Sequence, residues 1–263
     1  MMVTSKENQW VKEWRRLNDS AKYRRESGLF AIEGARLCYD ALRSGVTLHA
    51  VLYTPSALAA YGNVVEPLFA AAETAIEISP ELSRYMGDTL NPQGVFCIAK
   101  MLDNSLIMNK INIIGTYSAL EDIQDPGNMG TIIRTAEALG LDGLFLSDGC
   151  CDIYNPKVLR ASMGGVFRMP LMRVGDMAQT VVSLQEKGLT AFACVVDATA
   201  TPITEVSMGS GSVALIGNEG NGLRTETVAA CKSRVTIPMA GRAESLNASM
   251  AAGIILWEMC RGK

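Results

Sequence analysis

The last thirty residues, 234–263, restrict the folding options of this chain more than any other stretch. Residues 235–239 read as a short β-branched strand stopped by Pro238, and residues 245–260 as a helix with Ser245 near its first turn. Between Glu244 and Glu258 there is no charged residue. A surface helix shows a polar face at helical period. This one is apolar or small nearly all round, so it should be buried on most sides. Ala248, Ala251, Ala252 and Gly253 would let other backbones come close. A C-terminal helix of this kind needs unusual cover, either a subunit interface or a chain end tucked beneath another loop. Its polar exceptions, Ser245, Asn247 and Ser249, cluster where strand hands over to helix. Capping explains one of them, and the cluster exceeds what a cap needs.

The 263 residues suit one large domain or two small ones, and 48% hydrophobic content can fill a core. No apolar run reaches membrane-spanning length and the N-terminus does not read as a signal peptide, so the expected location is cytoplasmic. Seven scattered cysteines without a C-x-x-C pair argue against a disulfide scaffold or a zinc site. His49 is the only histidine and lies in an apolar, strand-like stretch, which suits a structural role. The chemistry must therefore work without histidine, and no metal is expected. Net charge is −3, yet Lys6, Lys12, Arg15, Arg16, Lys22, Arg24 and Arg25 face only Glu7, Glu13 and Asp19 within residues 6–25. A basic arm on an acidic body signals a polyanionic partner, although a solvated helix gives the same pattern.

Two α/β alternations follow. The first pairs a helix over residues 5–20 and a polar turn at 22–28 with strands and helices up to residue 100. Polar residues at 102–109 make a linker. The second alternation starts at residue 111 and includes a helix at 130–139. Its near-continuous apolar strands imply a parallel sheet covered on both faces, with ligands in the loops beyond the strand C-termini. A nicotinamide-binding G-x-G-x-x-G turn, with its acidic residue about twenty positions on, is not properly placed.

Three loops carry the chemistry. In the first, Pro126 and Gly127 make a turn, Asn128 can cap the next helix, and Arg134 sits among Ile132, Ile133, Thr135 and Ala136. An arginine in that setting needs an anion, from a salt bridge or from a substrate phosphate. In the second, Gly217, Gly220 and Gly222 surround Glu219 and would let backbone approach a ligand. The third is the C-terminal stretch with Ser245 and Asn247.

Together the three spacings resemble the SpoU (TrmH-type) family of RNA ribose 2′-O-methyltransferases, within the SPOUT superfamily. The motifs are Asp125-Pro126-Gly127-Asn128-x-Gly130 with Arg134, then Gly217-Asn218-Glu219-Gly220-x-Gly222-Leu223, then Ile237-Pro238-Met239-x-Gly241 with Ser245-Leu246-Asn247-x-Ser249. Residues 158–168 also look like the family, and residues 22–34 resemble its ribosomal-protein-like substrate-binding domain.

The resemblance implies an RNA substrate-binding α/β domain over residues 1–104 and a methyltransferase domain over 105–263. The latter would be a SPOUT-type parallel sheet with a deep trefoil knot. It implies a homodimer through the knotted region and S-adenosylmethionine as methyl donor, held among Cys194, Val195, Gly217, Ile237, Met239 and Leu246. It makes Arg134, Asn128, Glu219, Ser245 and Asn247 the catalytic set, and Lys22, Arg24, Arg25 and Arg160 the RNA contacts. By analogy the added N-terminal domain points to 23S rRNA, with tRNA, or a non-catalytic RNA-binding module of the same fold, as the alternatives.

Overall fold

A computed structural model of the protein describes residues 2–103 and 107–261. The middle of the linker expected at 102–109 lies outside the described residues. The chain divides into two compact units. Residues up to Leu102, joined by Tyr154–Phe167, form the first, and Asp103–Ile153 with Arg168 onward form the second.

The first unit runs α1 (Gln9–Asp19), α2 (Ala21–Ser27), β1 (Leu29–Glu33), α3 (Ala35–Arg43), β2 (Leu48–Tyr53), α4 (Pro55–Ala71), β3 (Thr74–Glu77), α5 (Pro80–Met86) and β4 (Val95–Lys100). Its mixed sheet has the order β1-β4-β2-β3, with β4 antiparallel to both neighbours and β2 parallel to β3. Side-chain oxygens start four of the helices: Asn8 accepts from Trp10 N, Ser20 from Tyr23 N, Thr54 from Ala57 N and Ser79 from Leu82 N. Proline follows the cap in α4 and α5, where its missing N–H costs nothing. Val11, Trp14 and Leu17 form the buried stripe of α1, with Trp14 edge-on to Phe96 at 5.1 Å.

The expected polar turn at 22–28 is instead helix α2, ended by Gly28 at φ +68°. The burial of Arg24 accounts for this. Its Nη1 donates to the carbonyls of Leu17 (2.6 Å) and Asn18 (3.0 Å), which closes the end of α1. Arg24 is 2% exposed, so its assignment as an RNA contact is corrected to a structural one.

The second unit runs β5 (Thr116–Leu120), α6 (Pro126–Ala138) and β6 (Gly143–Ser147). The chain then supplies α7 (Pro156–Ser162) to the first unit and the short α8 (Gly165–Arg168). It continues with β7 (Leu171–Val174), α9 (Met177–Glu186), β8 (Thr190–Cys194), β9 (Thr201–Pro202), β10 (Ser212–Ile216), α10 (Thr225–Ala230), β11 (Ser233–Thr236) and α11 (Ala248–Cys260). The seven-stranded sheet has the order β7-β6-β5-β10-β8-β11-β9, and every pairing is parallel. Every residue of β5, β6 and β10 is buried, as strands covered on both faces require. No helix among the described residues is long and apolar enough to cross a membrane.

Two helix starts differ from the sequence reading. Helix α6 begins at Pro126 because Asp125, not Asn128, is its cap, accepting from Asn128 N at 2.8 Å. Helix α11 begins at Ala248, capped by Asn247, which leaves Ser245 outside the helix. Burial of α11 is also one-sided within the chain. Ala252, Ile255, Leu256 and Met259 pack inward, while Met250, Ile254 and Trp257 form an exposed apolar stripe, with Trp257 58% exposed.

Arg24→Met should lower stability by roughly 1–3 kcal/mol, since two carbonyls at the end of α1 lose a charged donor. Urea unfolding at neutral pH measures this, and an unchanged midpoint would refute the structural role.

Candidate active site

In the parallel sheet, β5, β10, β8 and β11 are consecutive neighbours, so the loops leaving their C-terminal ends emerge side by side. The loop after β10 folds back on itself. Asn218 N donates to Gly222 O and Gly222 N to Asn218 O, both at 3.0 Å. A Cβ on Gly217 would lie 2.1 Å from the carbonyl carbon of Gly222 and 2.2 Å from Leu223 N. The glycine is thus required by the loop's own backbone, where the sequence suggested a ligand's approach.

Glu219 projects from this loop into a ring of donors. Its Oε1 accepts from Asp125 N and Asn128 Nδ2, each at 3.1 Å, and its Oε2 from Gln124 N at 3.2 Å and Asn218 Nδ2 at 3.4 Å. Burial pushes the carboxyl pKa up, but the Asn128 amide and the surrounding backbone N–H groups outweigh it and hold Glu219 below the usual carboxylate range. A carboxylate only accepts, so Asn128 must turn its NH2 toward Glu219 and its oxygen away. That oxygen accepts from Asn247 Nδ2 at 3.0 Å. Asn247 must in turn point its own oxygen at α11, where it accepts from Ser249 N (3.0 Å), Ser249 Oγ (2.7 Å) and Met250 N (3.2 Å). One hydrogen-bonded line therefore joins all three loops.

The second and third of these loops, with the loop after β8, line a cavity of about 480 Å³. Cys194, Val195, Gly217, Ile237, Met239 and Leu246 all line it, together with Glu219, Ser245 and Ile255. The volume lies within the range of small-molecule sites, roughly 300–1,000 Å³. Apolar side chains face a rim of loop backbone, which suits a flat heteroaromatic ring with polar edges. Burial drives the Cys194 thiol pKa far up, and Cys231 adds to the effect, so Cys194 is a neutral wall residue and not a nucleophile.

Arg134 lies apart from this group. It sits two turns along α6, is exposed, does not line the cavity, and has no ion pair or hydrogen bond among the described residues. The structural salt bridge entertained from sequence is therefore not made among the described residues. Ser245 is exposed on the cavity rim. In the first unit, Lys22 is exposed with Glu26 at 3.8 Å, and Arg25 is exposed and unpaired among the described residues. Arg160 Nη1 lies 3.4 Å from Asp88 Oδ2.

Sequence reasoning missed the support beneath the second loop. Glu121, 1% exposed, accepts from Thr227 Oγ1 at 2.6 Å and from Arg224 N at 2.8 Å. Asp122 accepts from Arg224 Nη2 at 2.7 Å and from Ser147 Oγ at 2.7 Å. The available signal was two consecutive carboxylates directly after an apolar strand.

The SpoU rRNA Methylase family model matches residues 116–257, and a model of the MRM3-like substrate binding domain matches residues 8–97. A 23S rRNA (guanosine(2553)-2′-O)-methyltransferase of Bacillus subtilis is 29% identical, over 98% of both chains. The crystal structure of an AdoMet-bound rRNA methyltransferase from Sinorhizobium meliloti superposes with a TM-score of 0.88 at 32% identity, covering 100% of this chain and 98% of that one. The SpoU methyltransferase AviRb from Streptomyces viridochromogenes, in complex with AdoMet, gives 0.85 at 28% identity, covering 97% and 98%.

Removing the Glu219 charge should weaken the line that joins the loops. Wild type should be more stable than Glu219→Gln at neutral pH. Because the folded-state pKa is depressed, that advantage is fully present above the unfolded value of about 4.3 and is lost as pH falls through the folded value. Urea midpoints of both proteins, at neutral pH and at about pH 3, check this. A stability gap that grows on acidification would contradict it.

Proposed function

Since this chain belongs to the SpoU rRNA methylase family, we propose that it transfers a methyl group from S-adenosylmethionine to a ribose 2′-hydroxyl of RNA, with 23S rRNA as substrate. The observation that carries this reading is a cavity lined by the second and third motif loops, with Glu219 on its wall tied through Asn128 of the first loop to Asn247. The residues present fit the cofactor. Val195, Ile237, Met239 and Leu246 offer apolar contacts to an adenine ring, and the loop backbone can read its polar edge. When bound, S-adenosylmethionine supplies an electrophilic methyl group on a sulfonium sulfur.

The chain's own residues act on the other reactant. A 2′-hydroxyl is a poor nucleophile near neutral pH, so charge developing on its oxygen needs a partner. The Arg134 guanidinium is open for that role, and its fork also fits a neighbouring phosphate. An arginine in a protein stays protonated, so Arg134 acts as a cation and not as a base. Ser245, on the rim, can orient the hydroxyl. Asn128, Glu219 and Asn247 are occupied with one another and hold the loops in place. RNA is selected because DNA lacks the 2′-hydroxyl.

In this reading residues 1–104 bind the RNA and 105–263 carry the transfer, in the cytoplasm. Lys22, Arg25 and Arg160 contribute phosphate contacts. A trefoil knot is part of the reading, and the return of the chain from β11 to pack α11 on α6 and β10 supports it. So is a homodimer, which would cover the apolar stripe of Met250, Ile254 and Trp257 that the chain itself leaves open.

Arg134→Ala should reduce single-turnover methylation by roughly 10²-fold or more at saturating RNA. Cofactor affinity by calorimetry should stay unchanged, because Arg134 lies outside the cavity wall. Arg134→Lys should also fail substantially. If saturated turnover survives Arg134→Ala, the assignment to the chemical step is wrong.

Trp257→Asp should place a charge in the dimer contact at a cost of several kcal/mol without touching the protomer core. Sedimentation should then show a folded monomer. A dimer as tight as wild type would exclude this face as the interface.

A further inference from the structure

A second concavity, of about 580 Å³, lies in the first unit, at the C-terminal ends of β2 and β3. Its walls are Trp10 with Asn8 and Gln9 at the start of α1, and Tyr53, Ile76 and Glu77 from the sheet. The N-terminal segment closes one side, with Val3 N donating to Glu77 O at 2.8 Å and Ser79 N to Val3 O at 2.9 Å. Each aromatic ring has a ring neighbour outside the groove's lining. Trp10 packs on His49 at 5.3 Å between ring centroids, and Tyr53 on Phe69 at 4.5 Å.

The polar groups here are open. Asn8 uses its oxygen to cap α1, which leaves its NH2 for an outside acceptor. That NH2, the Gln9 amide, the Tyr53 hydroxyl and the Glu77 carboxylate have no hydrogen-bond partner among the described residues. Two fixed aromatic rings beside an open carboxylate are a poor phosphate site and a good site for a base. A carboxylate is acceptor-only, with two oxygens side by side. The Watson–Crick edge of guanine presents two adjacent donors, N1–H and the 2-amino group. Adenine and cytosine pair one donor with a ring acceptor on that edge, and uracil flanks one donor with two carbonyls. Aromatic stacking on an unpaired base, with hydrogen bonds to its edge, is how single-stranded RNA is read.

We propose that this groove binds an unpaired guanine of the RNA, stacked against Trp10 and Tyr53 with its N1–H and 2-amino group donating to Glu77. The inference rests on the reading of the chain as an RNA-modifying enzyme. It adds a guanine-reading subsite that is separate from the methyl-transfer cavity.

The test uses the full chain without S-adenosylmethionine. Short single-stranded RNAs that differ only in the central base are titrated, and tryptophan fluorescence is followed. The guanine-centred RNA should quench emission and bind about tenfold or more tightly than those centred on hypoxanthine, which lacks the 2-amino group, or on adenine, cytosine or uracil. Glu77→Gln should erase the gap between guanine and hypoxanthine, and Trp10→Phe should remove most of the quench, while both variants keep the wild-type circular dichroism. Equal affinity for all central bases, or undiminished guanine preference in Glu77→Gln, would overturn the proposal. Because no methyl transfer is measured, that failure would leave the methyltransferase reading standing. Guanine preference in a protein that methylates no RNA would leave the groove standing alone.

Discussion

The second unit depends on a carboxylate that can only accept. Glu219 receives four N–H groups, two from the backbone of the loop after β5, one from the side chain of Asn128 and one from that of Asn218. With Glu219 ionised, the orientation of every amide down the line is fixed. Asn128 must donate to Glu219 and accept from Asn247, and Asn247 must then cap α11 with its oxygen. Three loops distant in sequence are locked by hydrogen bonds whose polarity runs one way. A net gain of about 0.5–1.5 kcal/mol per neutral bond, and more for those to the charge, is enough to hold the loops as one body.

Beneath that line the parallel sheet sets the geometry. Only a parallel arrangement brings the C-terminal ends of β5, β10, β8 and β11 to the same edge, and their mutual order decides which loops touch. Two acidic anchors, Glu121 buried and Asp122 half-buried, add to this. Glu121 ties the start of α10 to the end of β5, and Asp122, at φ +56°, is held by Ser147 and Arg224. The cavity wall is thus built on strand ends and short tethered loops, which is the rigidity a preorganised site requires.

Charge in the first unit is spent mostly inside the unit. Arg15 faces Asp19 at 3.1 Å, Arg16 lies over the Tyr23 ring at 3.7 Å, and Arg24 is buried on backbone carbonyls. The excess of positive charge read along residues 6–25 therefore overstates the number of free cations on the surface. Arg25 remains open among the described residues, and a polyanion would meet it together with exposed lysines such as Lys22.

Much of this was legible in the chain itself. Apolar strands between helices announced a doubly covered parallel sheet, because strands buried on both faces cannot alternate with polar residues. The three motif loops announced one site only through their joint resemblance to a family, since each alone had a local explanation in a turn, a cap or a salt bridge. The charge-free run before Glu258 announced a helix needing unusual cover, from a partner subunit or from another loop of the chain, and α11 carries one stripe inward and another left open. Tertiary structure alone decided the partners. Whether Asn128 caps a helix or bridges two loops depends on where α6 starts, and the Asp125 cap puts Asn128 inside its first turn, while whether Arg24 meets RNA or backbone depends on where α1 ends beside it. Local sequence gives each of these side chains the same hydrogen-bonding capacity in either role. The choice between roles is made by groups far away in the chain, whose positions exist only once the sheet has formed.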